Sequence, residues 1–152
     1  MESIEFERRL RALAKRHGLT FATFATLPDA DREVLVATIV DGLDAGRVYR
    51  EKEINAILKQ WLATAGAMVG TDHVHIRRWL VDTGVVTRTS DCAEYRLGPA
   101  APSSPEGIDA VALVATIRQA QSDAREARKA EWLARTDGAA AKAIDGESVR
   151  SR

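Results

Sequence analysis

Residues 46–62 read GRVYREKEINAILKQWL, and residues 72–97 read DHVHIRRWLVDTGVVTRTSDCAEYRL. Val48-Tyr49 is a short extended piece. After it, Ile54, Ile57, Leu58, Trp61, Leu62 and Ala65 recur at the spacing of one helical face, which predicts a helix over about residues 51–65. Glu51 and Glu53 fall in its first turn, where the positive end of the helix dipole favours carboxylates. Gly66–Gly70 reads as a loop. Asp72 or Thr71 then supplies an N-cap for a helix over about residues 73–83, stopped by Gly84, with Ile76, Leu80 and Thr83 inward and Trp79 beside them. Val85–Arg88 and Glu94–Leu97 are strand-like, and residues 89–93 join them as a turn.

Strand, helix, loop, helix, hairpin is the element order of a winged helix-turn-helix, an architecture that most often holds nucleic acid. The fold class expected is therefore mainly α with a small β-hairpin. Upstream, Ser3 can cap a helix to about His17, with Phe6, Leu10, Leu13 and Ala14 on one face and Gly18 as its stop. Arg8, Arg9, Arg11, Lys15 and Arg16 fall mainly on the other face; they either hold phosphates or form a solvated face balanced by Glu2, Glu5 and Glu7. Leu19–Leu27 mixes Thr and Phe without helical period. Pro28-Asp29 opens a helix over about residues 31–42, whose stripe of Leu35, Ile39 and Leu43, widened by Val36 and Val40, predicts burial on more than one side.

Downstream, GPAAPSSP at 98–105 is a composition break and reads as a linker. One long helix is expected from Glu106 to about Arg135, apolar in its first half (Ile108, Val111, Val114, Ala115, Ile117) and rich in Ala and charge in its second, where Glu131 and Arg135 can pair. Trp132 and Leu133 interrupt that polar surface. Such a helix either forms a homodimer or binds another protein, or it folds back on the first or second helix. The organisation expected is an N-terminal helix and connector (1–23), the winged-helix block (24–98), a linker (99–105), the long helix (106–135) and a disordered tail (136–152).

The totals narrow the function classes. Of 152 residues, 45% are hydrophobic and 29% charged, ordinary for a globular protein with room for a real core. Net charge is zero, but uneven: six Lys/Arg against eight Asp/Glu over 1–45, eight against six over 46–98, and eight against eight over 99–152. A net +2 on the central block is a faint footprint for a DNA binder. The single Cys92 allows no internal disulfide, which suits a reducing cytoplasm. The N-terminus lacks the apolar run of a secretory signal, and no stretch approaches the roughly 20 apolar residues of a membrane span.

The helix over residues 73–83 is the candidate element for a DNA major groove. With Ile76 and Leu80 inward, His75, Arg78 and Asp82 lie near its outward face and Arg77 flanks it. The two arginines either contact bases and phosphates or form salt bridges with neighbouring helices, and Asp82 would repel phosphate. Glu53 is a candidate partner across the helix pair. Arg88 and Arg96 lie on the hairpin strands, where they either touch DNA from one side or are ordinary exposed charges. His73 and His75 sit at i, i+2, which do not face each other, so no metal site is expected. No catalytic motif is present, so neither an enzyme nor a cofactor is expected.

These residues resemble the DUF2087 family of bacterial proteins. Its first motif is matched by Arg47, Tyr49, Glu51, Lys52, Glu53, Ile54, Asn55, Ile57 and Leu58. Its second is matched by Asp72, Ile76, Arg77, Arg78, Leu80, Val81, Asp82 and Gly84, followed by Val85, Arg88 and Tyr95. The resemblance covers about residues 24–98. It departs at Arg50, where a small hydroxyl N-cap is usual, and at Asp91-Cys92, where Asp-Gly is usual. The resemblance implies a fold similar to winged-helix modules and a place in transcriptional regulation, and no catalytic residue carries over from it.

Overall fold

Seven consecutive residues, Val34 to Val40, are buried, and the core is built around them. They lie in α3 (Asp29–Val40), which follows α1 (Ser3–Ala14) and a one-turn α2 (Phe21–Ala25). Next come α4 (Glu51–Ala63), α5 (His73–Asp82), the strands β1 (Val86–Arg88) and β2 (Tyr95–Leu97), and α6 (Ala110–Arg150). The computed structural model describes residues 1–150, with side chains through residue 140. The protein is mainly helical with one two-stranded antiparallel sheet and a long C-terminal helix. Two compact units are present, residues 1–117 and 118–152. Among the described residues, no helix is long and apolar enough to cross a membrane.

In the first unit, α1 buries Phe6, Leu10, Leu13 and Ala14, the stripe its spacing predicts. It ends at Ala14 rather than His17, and Ser3 is its first residue rather than its cap: Glu2 occupies the N-cap position and makes no side-chain bond. Three arginines of the basic face are paired with carboxylates. Arg8 pairs with Glu5 at 2.7 Å, Arg11 with Glu7 at 2.6 Å, and Arg9 reaches across to Asp31 of α3 at 2.7 Å.

The α2 turn has no counterpart in the sequence pattern, because five residues are too few to show a period. Thr20 caps it, accepting from the Thr23 N–H at 3.2 Å, and it buries Phe24 edge-on against Trp79 with ring centroids 5.1 Å apart. The α4–α5 connection is packed rather than loose. Leu19 N–H donates to Met68 and Gly70 N–H to Leu19, a single parallel bridge at 2.9 and 2.7 Å. Gly66 must be glycine there, since a Cβ would fall 2.6 Å from the Trp61 ring.

The hairpin pairs Val86 with Leu97, Thr87 with Arg96 and Arg88 with Tyr95. On the other edge of β2, Tyr49 and Tyr95 exchange two backbone hydrogen bonds of 2.8 Å, so the extended piece before α4 is tied to the hairpin. Cys92 adopts φ +58 in the turn, the left-handed conformation that Asp-Gly would take more easily. Gly98 passes so close to Gly84 that a Cβ would lie 2.2 Å from its carbonyl oxygen.

Residues 99–109 have no regular structure, yet they are not a free linker. Ala101 and Ile108 pack against the core, and Ser104 donates through its hydroxyl to Asp41 at 2.6 Å. The last helix begins at Ala110 rather than Glu106, because Gly107 takes φ +84 and Asp109 caps the helix by accepting from Ala112 N–H at 3.0 Å. Its inward register is Ala110, Val114 and Ile117, while Val111 is exposed. The helix continues to Arg150, past the end expected at Arg135; of the tail expected over 136–152, residues 151–152 lie outside the described residues.

Candidate nucleic-acid interface on helix α5 and the hairpin

Asp72 sets the start of α5. Its carboxylate accepts from the His75 backbone N–H at 2.9 Å and from the His75 ring Nδ1 at 2.7 Å. Both bonds stabilise the charged form, so the backbone bond first and the ring bond second hold the Asp72 pKa below its ordinary value. Gly84, at φ +78, ends the helix. Ile76 and Leu80 are fully buried, which anchors the inward face on α4.

That anchoring decides where each arginine points. Arg77 lies over the edge of the α4 contact. Its guanidinium donates to the Asn55 side-chain oxygen, meets Glu51 at 3.1 Å and stands 5.9 Å from the Tyr95 ring centroid. Its side chain is only 17% exposed. Arg77 is therefore a brace joining α4, α5 and β2, and Asn55 and Glu51 are its partners. Glu53, the partner the motif suggested, is engaged elsewhere: it meets Arg47 at 3.1 Å and accepts from the Arg50 backbone N–H at 3.3 Å. That second bond is one half of a capping box; Arg50 has no side-chain acceptor with which to supply the other half.

Arg78 is exposed and, among the described residues, has no carboxylate within ion-pair distance. His75 and Asp82 are exposed on the same side of α5. The His75 ring, however, is held by Asp72 and lies 5.6 Å from the Phe21 ring, so its freedom to meet a ligand is reduced. The hairpin does not present its arginines on one side. Side chains alternate along a strand, and the observed register places Arg88 on the face of Val86 and Tyr95 and Arg96 on the opposite face with Thr87. Arg88 is exposed, and Arg96 approaches Glu94 at 3.8 Å.

Tyr49 and Arg47 of the first motif have structural contacts. The buried Tyr49 places its hydroxyl 2.6 Å from the Asp44 N–H, which donates to it, while Arg47 covers its ring at 4.8 Å. One contact had no signal in the motif. Trp61 Nε1–H donates to the buried Thr38 hydroxyl at 2.9 Å, and that hydroxyl donates to Leu35 carbonyl at 2.7 Å. Among the described residues, no group of three or more His, Cys, Asp or Glu could hold a metal ion.

Residues 27–97 match the family model of DUF2087, an uncharacterized protein conserved in bacteria. The DUF2087 match runs from Leu27, just before α3, to Leu97, the last residue of β2, and includes both motifs and the whole Arg77 brace. It supports the family that the motifs resemble. No curated protein and no solved structure matches the chain.

Proposed function

We propose that α5 and the hairpin form a winged helix-turn-helix module that binds double-stranded DNA in transcriptional regulation, without catalytic activity. The observation that carries this reading is the division between the two arginines. Arg77 is consumed by the fold, while Arg78 stands outward, with no ion-pair partner among the described residues, on a helix whose size suits a major groove. Arg78 is the base or phosphate contact, and His75 lies beside it. On the hairpin, Arg88 and Arg96 lie on opposite faces of the sheet, so at most one of them contributes.

The test is fluorescence anisotropy with mixed-sequence duplex DNA, at low and at physiological salt. Binding should fall steeply with salt, since each neutralised phosphate releases counterions. Arg78→Ala should weaken it at all sequences. Binding that ignores salt, or no binding at low salt, overturns the reading. A protein-interaction role is the alternative, favoured by Trp132 and Leu133, which are 63% and 44% exposed on α6.

A further inference from the structure

A cleft of about 780 Å³ opens on the first unit, with no residue of α5 or the hairpin in its lining. Its walls are the C-terminal half of α3, one side of α4 and residues 104–111. Ile39, Ile57, Trp61 and Ile108 supply an apolar lining, and Gln60 supplies an amide. This volume is within the range of small-molecule sites, which are apolar with a few placed polar groups. The lining contains two carboxylates, Asp41 and Asp109, and no Lys, Arg or His.

From these features we infer that the cleft binds a small organic cation with an apolar or aromatic body. Unbalanced carboxylates beside a low-dielectric wall attract a cation and repel an anion more strongly than they would in open water. Both carboxylates also have structural duties. Asp41 accepts from the Ser104 hydroxyl and backbone N–H, and Asp109 caps α6. Those bonds hold the lining carboxylates in place without neutralising them, because their donors are uncharged. The apolar body would lie against Ile57 and Trp61, where water is poorly accommodated. The inference stands whether or not the protein binds DNA.

The experiment compares three probes with one body: 1-naphthylmethylammonium, 1-naphthylmethanol and 1-naphthylacetate, titrated by calorimetry into the full chain. The ammonium should bind about tenfold or more tighter than the alcohol, and the carboxylate weakest. Asp41→Asn with Asp109→Asn should erase that order: asparagine keeps the single capping acceptor at position 109, and at position 41 it keeps one acceptor oxygen while its amide can donate to the Ser104 hydroxyl. Ala56→Trp, at an exposed position of the lining, should weaken all three by filling the cleft. Equal binding of the three probes, no binding of the ammonium, or binding indifferent to Ala56→Trp overturns the proposal. Far-UV circular dichroism of each variant separates these outcomes from loss of fold.

Discussion

Arg77 and Arg78 are neighbours in sequence, and the helix turns them about 100° apart. That angle alone sends one guanidinium to Asn55 and Glu51 and the other to solvent. The Glu51 pair is half exposed, so most of the brace comes from the Asn55 bond and from packing near Tyr95. Arg77→Ala should lower the unfolding free energy by about 2 kcal/mol, because it leaves a part-buried acceptor without its donor. Arg78→Ala should change it by less than about 0.5 kcal/mol. Urea denaturation of both variants measures this, and equal losses would remove the distinction on which the proposed interface rests. The two motifs made an ion-pair lock legible. They did not reveal that Glu51, rather than Glu53, closes it, since that depends on where α4 and α5 cross.

At the scale of elements, α5 is the best encoded. Its cap, its inward Ile76 and Leu80 and its glycine stop follow from local chemistry, and the structure shows each of them; Thr83, also expected inward, is exposed, because the helix ends at Asp82 and Thr83 is its C-cap. The cap makes a pH prediction. The folded-state pKa of Asp72 is depressed, so the stability its carboxylate contributes is present above the unfolded aspartate value and is lost as pH falls through the folded value. In an NMR titration, the His75 backbone amide should shift with a midpoint below the ordinary aspartate range. In Asp72→Asn, which keeps a capping oxygen but does not titrate, that transition should vanish. A midpoint at the ordinary aspartate value would mean that the cap does not favour the charged form. Two other elements were less legible. The α2 turn is too short for periodicity, and the 99–109 segment has a linker's composition because its attachment is through a few distant contacts such as Ser104 to Asp41.

For the whole molecule, α3 is the organising element of the first unit. The apolar pattern predicted burial on more than one side, and Val34 to Val40 are all buried. Leu35→Ala should therefore cost about 2–5 kcal/mol, read as a lowered midpoint in thermal or urea unfolding, because a fully enclosed site cannot collapse around the missing atoms. A loss below about 1 kcal/mol would show that the surrounding helices close the void easily. The cleft is also visible only at this scale: its wall residues come from α3, α4 and residues 104–111, and no local pattern brings them together.

By itself, the sequence determined the element types and their order from α3 to the hairpin, the inward faces of α1, α4 and α5, and the cap and stop of α5. These depend on dihedral preferences and on periods of a few residues, which a short window contains. The tertiary structure decided which arginine is a brace, that Arg88 and Arg96 lie on opposite faces, where α6 begins, and that a cleft exists. Each of these depends on a register or on a contact between distant segments. A shift of one residue in a strand pairing reverses every face, and a helix crossing selects one carboxylate over another two residues away. Such choices are made by the packing of the whole core, and no single segment contains them.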